Sequence, residues 1–218
     1  MKIKRVVAVL LFVCLLVNCI PPVQTNAATA FFAYEIADGT AIITGCDNVR
    51  GDVELPDMIQ GYPVAKIGEG AFRDCTELTS VVIPEGVTVI DKNAFYNCTG
   101  LTSVTIPASV TSILHEAFHY CNNLEAVYIS NLAAWCNIRF GDSFANPLYY
   151  ANNLHLDGKP ITELVIPDGV TQIKFCAFIC CDSLTSVAFP ASVTSVGQAA
   201  FLDCNSLNNV IYCGTQEQ

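Results

Sequence analysis

The chain has 218 residues, of which 52% are hydrophobic and 14% are charged, with 20 acidic residues against 10 basic ones. This apolar content is typical of a well-buried core and argues against a disordered chain. The formal net charge of −10 argues against binding to nucleic acid or anionic membranes, because both carry negative charge.

The first 30 residues have the composition of a secretory signal peptide. Three basic residues among the first five precede an apolar run from Val6 to Val17, and residues 28–30 supply a small-residue cleavage site. The run is too short for a transmembrane segment. Lipid attachment at Cys19 is an alternative, disfavoured because Asn18 stands where a lipoprotein signal has a small residue. We therefore expect a secreted protein, extracellular or held at the cell surface, without a transmembrane segment.

Residues 31–52 predict an N-terminal β-hairpin cap. Their sequence, FFAYEIADGTAIITGCDNVRGD, alternates about the dipeptide Asp38-Gly39, which is typical of a tight hairpin turn. A stack of coils needs its first edge covered, and a hairpin would cover it.

Residues 53–218 are predicted to form a solenoid, because the chain repeats every 23 residues. Four units keep this length: LTSVVIPEGVTVIDKNAFYNCTG (78–100), LTSVTIPASVTSILHEAFHYCNN (101–123), ITELVIPDGVTQIKFCAFICCDS (161–183) and LTSVAFPASVTSVGQAAFLDCNS (184–206). A shortened unit precedes them and a truncated one occupies 207–218. A fixed period with a strand-like motif in each unit is typical of a leucine-rich-repeat solenoid.

Each part of the unit has a structural interpretation. The pattern L-x-x-V-x-I predicts a strand with alternate side chains inward, and the proline after it ends the strand by removing a donor. V-x-x-I predicts a second inward stretch, and A-F a tight helical or 3₁₀ turn. We expect about six coils with parallel strands about 4.8 Å apart, and residues 2, 3 and 5 of each unit on the outer strand surface.

Five of the ten cysteines after residue 30 follow the repeat. We interpret these repeat cysteines as small buried residues with weak S–H donors, and oxidation between neighbouring coils is the alternative. Cys176 is expected at an outward turn position, and the CAFICC stretch lacks the paired spacing of a zinc site. The repeat cysteines are Cys75, Cys98, Cys121, Cys181 and Cys204.

The sequence HEAFH at 115–119 matches the zinc-protease motif H-E-x-x-H, in which two histidines on one helical face bind the metal and the glutamate acts as general base. Its Ala117-Phe118 is the A-F of the repeat, and the flanking positions are variable ones. A zinc protease also needs a long helix and a third ligand. We therefore interpret the motif as a coincidence and expect no catalytic residue, no metal and no cofactor.

Residues 124–160 form an irregular, enlarged repeat that is rich in aromatic residues. We expect a short helix from about Asn131 and a hairpin turn at Asp157-Gly158. The aromatics either pack against the solenoid or form a binding patch. Strand positions there depart from the Thr/Ser pattern, which suggests a contact site. The candidate partner-binding residues are Glu125, Tyr128, Trp135, Tyr149 and Glu163.

The repeat pattern C-x-x-L-x-x-V-x-I-P-x-x-V-x-x-I-x-x-x-A-F-x-x-C resembles the BspA-type leucine-rich repeats of bacterial secreted and surface proteins. The stretches GYPVAKIGEGAF and WCNIRF…NPLYYANNL are also similar to that family. The resemblance covers essentially all of 31–218. It implies a right-handed, β-rich α/β solenoid that acts in adhesion or protein recognition, and it offers no catalytic residues.

The expected function is binding to an extracellular protein or glycan. The acidic balance favours a basic partner and salt-sensitive binding. The alternative is a structural spacer, or a fragment of a longer surface protein, without a ligand of its own. The incomplete repeat at 207–218 suggests end-to-end association through an uncapped C-terminus.

Overall fold

The computed structural model describes residues 31–47 and 49–213. The predicted signal peptide and the last five residues lie outside this part of the chain. The described residues form a parallel β-solenoid of about seven turns, one more than expected, with few helices.

The N-terminal hairpin consists of β1 (Phe31–Ala37) and β2 (Thr40–Asp47), which pair antiparallel. Asp38 and Gly39 have φ angles of 50° and 76°, the left-handed values that two-residue hairpin turns require. Strand β2 then pairs in parallel with β5 of the first coil. The hairpin thereby joins the first coil, and its turn lies at the predicted dipeptide.

Two series of parallel strands line the solenoid. The first contains the L-x-x-V-x-I strands and runs in the order β13-β12-β10-β8-β6-β3, followed by a separate sheet β14-β16-β18. Its strands are β3 (Gly51–Glu54), β6 (Leu78–Val82), β8 (Ser103–Ile106), β10 (Ala126–Ile129), β12 (Leu154–Leu156), β13 (Lys159–Pro160), β14 (Glu163–Val165), β16 (Ser186–Phe189) and β18 (Asn209–Tyr212).

The second series contains the V-x-x-I segments, which form strands of two residues in the regular units. They continue the hairpin in the order β1-β2-β5-β7-β9-β11, with β4 paired to β5 and a separate pair β15-β17. These strands are β4 (Met58–Ile59), β5 (Tyr62–Ile67), β7 (Val89–Ile90), β9 (Ser112–Ile113), β11 (Arg139–Phe140), β15 (Gln172–Ile173) and β17 (Ser195–Val196).

The core consists of equivalent side chains stacked from coil to coil. The rings of Phe72, Phe95 and Phe118 stack nearly parallel, with centroids 5.0 and 5.1 Å apart, and Phe178 and Phe201 repeat the arrangement at 5.2 Å. This spacing is close to the distance of about 4.8 Å between neighbouring strands, because each coil repeats the one before it.

The A-F segments form tight turns rather than helices. Two residues in each turn have left-handed backbone conformations, one just before A-F and one just before the repeat cysteine. An α-helix or 3₁₀-helix contains no such residues, which is why the expected helical turn does not form. They are Asn93 and Asn97, Glu116 and Tyr120, Cys176 and Cys180, and Ala199 and Asp203. The side chain of Cys176 is fully buried, so its predicted outward position was wrong.

The helices of the described residues lie in the enlarged repeat. They are α1 (Leu132–Cys136), a 3₁₀ turn (Ser143–Ala145) and α2 (Leu148–Ala151). Asn131 caps α1 by accepting a hydrogen bond from the backbone N–H of Ala134 at 2.9 Å. The predicted helix start near Asn131 is confirmed. Strands β12 and β13 form the predicted hairpin, with Asp157 and Gly158 at positive φ.

Candidate functional site

The outer side of the six-stranded sheet, here called the strand face, is the solvent-facing surface of the central coils. Side chains alternate along β8 and β10, so that Val104 and Val127 are buried while Thr105 and Tyr128 point outward and are half-buried. Neighbouring strands are in register, and outward residues therefore form rows across the sheet. One row runs Glu54, Val82, Thr105, Tyr128 and His155.

Tyr128 and His155 form an aromatic pair at the end of this row. They are register partners on β10 and β12, and their ring centroids lie 4.8 Å apart with the planes tilted by 41°. Tyr128 was predicted as a contact residue from the sequence, and His155 was missed. The alternation in LHLDG, which places His155 between two inward-pointing leucines, was the signal that could have found it.

Exposed carboxylates surround the strand face. Asp52 and Glu54 lie at one end, and Glu125 precedes β10. The hydroxyls of Ser80 and Thr79 donate to Asp52 at 2.7 and 2.8 Å, and these hydrogen bonds hold the pKa of Asp52 below its ordinary value. Asp52 therefore stays ionised to lower pH than a free aspartate. This surface offers negative charge to a partner.

Glu163 lies apart from the Tyr128 row, in a shallow groove of about 510 Å³ beside the β12–β13 hairpin. The hairpin interrupts the first series of strands, because β13 ends one sheet and β14 begins the next. The groove carries both signs of charge, from Asp157 and Lys159 as well as Glu163. Its lining residues are Leu156, Asp157, Lys159, Pro160, Ile161, Thr162 and Glu163.

Trp135 lies in the core and not on the surface. Its side chain is 1% exposed, and its indole N–H donates to the carbonyl of Ala177 at 2.8 Å. Phe140 packs edge-on against it at 5.6 Å. A surface contact through Trp135 is therefore excluded, and for this residue the packing interpretation is correct.

Tyr149 belongs to a second aromatic group, here called the turn cluster, at the A-F turns. Its ring meets Phe144 at 4.9 Å and Tyr150 at 5.1 Å, and Phe144 stacks on His119 at 4.1 Å. The hydroxyl of Tyr150 accepts a hydrogen bond from the backbone N–H of Tyr120. The five proposed residues therefore lie in four different places. Glu125 and Tyr128 lie on the strand face, and the other three lie in the groove, the core and the turn cluster.

The HEAFH segment does not form a helix. Glu116 has a φ of 55°, which interrupts any helical face shared by the two histidines. The Nδ1 atom of His115 lies 3.0 Å from a carboxylate oxygen of Asp142, while the ring of His119 stacks on Phe144. The geometry that two zinc ligands need at positions i and i+4 is therefore not present here.

Within residues 31–47 and 49–213, no group of three or more His, Cys, Asp or Glu residues is arranged to hold a metal ion. The same residues contain no helix that is long and apolar enough to cross a bilayer.

Strand β18 of the last described coil is unusually exposed. It pairs with β16 on one side, and Val210 and Ile211 are 64% and 46% exposed. The equivalent inward residue one coil earlier, Val187, is buried. The Val210 side chain therefore lies on the face against which another coil could pack, whereas Ile211 is the register partner of Ala188 and points outward.

Comparison with known proteins identifies the repeat. A family model described as "BspA type Leucine rich repeat region" matches residues 51–146 and 151–216 in six copies. No curated protein matches the chain.

Several solved structures are similar to this chain. A leucine-rich repeat protein of T. pallidum is 28% identical over 83% of this chain and 68% of its own, with a TM-score of 0.47. One from Bacteroides ovatus is 23% identical over 82% of this chain and 51% of its own, with a TM-score of 0.48. A leucine rich cell surface protein of Faecalibacterium prausnitzii is 24% identical over 88% and 77%, with a TM-score of 0.37. The chain thus spans about half the length of the B. ovatus protein.

Proposed function

Because this chain belongs to the family of BspA type leucine-rich repeat regions, we propose that it is an extracellular recognition module that binds a protein partner through its strand face. The observation that carries the proposal is the pair Tyr128 and His155, whose rings lie 4.8 Å apart on the outer sheet surface, beside the outward Thr and Ser residues of β6 and β8. Aromatic side chains on a rigid sheet contribute large contact area at low entropic cost, and binding hot spots favour tyrosine.

The charge of the strand face indicates a basic partner. Asp52, Glu54 and Glu125 are exposed there, and the whole chain has 20 acidic residues against 10 basic ones. Attraction between such a surface and lysine- or arginine-rich segments increases the association rate and is weakened by salt. We propose a protein with a basic surface and not a glycan, because a neutral sugar would gain nothing from this charge.

The extracellular location rests on the N-terminal sequence. A basic start, an apolar run over 6–17 and a small-residue site at 28–30 together support export. We propose that the exported solenoid is attached to the cell surface and acts in adhesion. We assign the protein no catalytic step and no cofactor.

The experiment screens the purified mature protein against an immobilised set of purified extracellular matrix proteins and a parallel set of glycans. Any partner is then tested by biolayer interferometry with the double variant Tyr128→Ala, His155→Ala. The matched control is Tyr62→Ala, since Tyr62 is 41% exposed and lies on β5, in the other series of strands.

The expected result is a protein partner whose affinity falls at least about tenfold in the double variant, the effect of losing one hot spot, and is unchanged in the control. Circular dichroism confirms that both variants are folded. Binding to glycans alone, undiminished binding by the folded double variant, or no binding at all would each contradict the proposal. The last result would favour a spacer without its own ligand.

A second candidate function is end-to-end association between copies, and the exposure of the inward-position residue Val210 on β18 favours it. Sedimentation velocity over a range of concentrations tests this. Self-association that the variant Val210→Asp abolishes would support it, and a monomer at all concentrations would exclude it.

A further inference from the structure

Two cysteines meet where the N-terminal hairpin joins the first coil. Cys46 lies near the end of β2 and Cys75 lies in the first A-F turn, 29 positions later, and their Sγ atoms are 3.0 Å apart. Both side chains are half-buried. The two sulfurs therefore already face each other across the junction between the hairpin and the solenoid.

The other repeat cysteines have a hydrogen-bond partner that Cys75 lacks, although the thiols of Cys98 and Cys121 also interact with each other. The thiols of Cys98, Cys121 and Cys204 each donate to the carbonyl of a phenylalanine one coil earlier, at 3.0 to 3.1 Å. The coil before Cys75 is the hairpin, and its thiol meets Cys46 instead. Cys46 lies outside the 23-residue period, so repeat packing does not account for a cysteine at this position.

We propose that Cys46 and Cys75 form a disulfide bond that fastens the hairpin to the first coil. A disulfide requires sulfurs about 2.05 Å apart. From 3.0 Å, small rotations of two half-buried side chains reach this distance. Phe32 of β1 already packs edge-on against Phe72 at 6.1 Å, which holds the two segments together while the bond forms.

The bond forms by two thiol–disulfide exchange steps with an external disulfide as the oxidant. The Cys75 thiolate attacks that disulfide, which gives a mixed disulfide and releases one thiol. The Cys46 sulfur then loses its proton, attacks the sulfur of Cys75 and releases the second thiol. Two cysteine thiols have lost two protons and two electrons, and one external disulfide has been reduced to two thiols.

The hydrogen bond between the two thiols supports Cys75 as the attacking group. Either sulfur can donate in this contact; with Cys46 as the donor, the hydrogen bond lowers the pKa of Cys75 and raises that of Cys46. The thiolate is the reactive form of cysteine, and Cys75 is the one of the pair that ionises more readily.

The test uses the purified full-length chain and oxidised glutathione as the probe. After alkylation of free thiols, trypsin releases a peptide spanning 74–92 that contains Cys75 as its only cysteine. We expect mass spectrometry to find this peptide linked to the one that contains Cys46. Fragmentation of the linked pair assigns the second sulfur, because the peptide before Arg50 contains other cysteines in the unprocessed chain.

Stability gives a second readout that does not depend on peptide mapping. Oxidised protein should unfold about 5 to 10 °C higher than reduced protein, the shift expected for one disulfide in a chain of this size. The difference should vanish in Cys46→Ser and in Cys75→Ser. It should persist in Cys204→Ser, which changes a half-buried repeat cysteine outside the pair, and in Cys213→Ser, which changes an exposed cysteine.

Two results would overturn the proposal. One is that Cys75 remains alkylatable at oxidant concentrations that fully modify the exposed Cys213. The other is a stable disulfide of Cys75 with Cys98, its neighbour in the next coil, or with glutathione. Either result would show that the sulfurs of Cys46 and Cys75 lie close together only through side-chain packing and do not form a disulfide.

Discussion

The side-chain amide of Asn146 donates to the backbone carbonyl of Cys176 at 2.7 Å, across the junction between the enlarged repeat and the next regular coil. Both strand series are interrupted at this junction, so backbone pairing between strands is missing there. Asn146 is fully buried, and its Oδ1 accepts from the backbone N–H of Leu148 at 2.9 Å. Together with the indole of Trp135, it satisfies backbone groups that a regular coil would satisfy by itself.

Replacement of Asn146 by alanine should destabilise the protein by about 2 kcal/mol, because two buried backbone groups lose their partner. Urea unfolding followed by circular dichroism measures the loss. The control is Asn137→Ala, which removes an exposed side-chain hydrogen bond to Ala133 and should cost less than about 0.5 kcal/mol. Equal effects of the two substitutions would contradict a bridging role for Asn146.

The phenylalanine stack predicts that the stability lost on removing a ring depends on the position of that ring in the solenoid. Phe95 stacks on a ring from each side and is fully buried, so Phe95→Ala should cost about 3 to 5 kcal/mol. Phe201 lies in the last complete repeat and is only half-buried, and Phe201→Ala should cost clearly less. Thermal or urea unfolding of the two variants provides the comparison. A larger loss for Phe201→Ala would show that the stack does not stabilise the core as described.

Protonation of Asp91 should account for part of the stability that the protein loses in acid. Burial opposes ionisation of its carboxylate, but hydrogen bonds from the Lys66 ammonium and the backbone N–H of Lys92 outweigh this effect, so the pKa of Asp91 lies below its ordinary value. A carboxyl group with a lowered pKa in the folded state adds stability above its unfolded pKa of about 3.9, and this is lost as the pH falls through the folded pKa.

The variant Lys66→Met tests this linkage. It should lose about 1 kcal/mol at pH 7, since the pair is partly exposed to solvent. The difference from the wild type should shrink as the pH falls below about 4, where Asp91 becomes protonated in both proteins. Urea midpoints measured from pH 7 to pH 2.5 provide the comparison, and a difference that is constant with pH would exclude the linkage.

Binding of the proposed basic partner should depend on salt and on Glu125. Because Glu125 is exposed at the edge of the strand face, Glu125→Gln should slow association and leave dissociation nearly unchanged. Raising the salt concentration from about 0.05 to 0.3 M should have the same effect, since the Debye length shortens. Surface plasmon resonance separates the two rates. Glu69→Gln provides a control on the surface outside the strand face, and an equal effect would indicate a general charge effect.

Zinc analysis of the purified protein tests the HEAFH segment directly. Because Glu116 interrupts the helical face, we expect less than stoichiometric zinc after dialysis against micromolar metal. The outcome that would reverse this interpretation is one zinc ion per chain that disappears in His119→Ala and remains in His155→Ala. Peptidase activity lost in the same variant would add a catalytic function.

The sequence was sufficient to predict the solenoid, the hairpin turns at Asp38-Gly39 and Asp157-Gly158, and the helix after Asn131. These features depend on local patterns or on the 23-residue period, and each coil repeats contacts that the neighbouring coil also makes. The 23-residue period therefore predicts which residues of neighbouring coils contact each other.

Only the tertiary structure shows where four features lie. They are the side chains of Trp135, Cys176 and Tyr149, and the contact between Cys46 and Cys75. All of them lie where the period is interrupted, at the hairpin or around the enlarged repeat. Trp135 was proposed as a binding residue because the sequence does not show that its indole N–H donates to the carbonyl of Ala177, 42 positions later. Where neighbouring coils differ, side chains fill the mismatch, and which of them become buried depends on three-dimensional packing that no repeated pattern specifies.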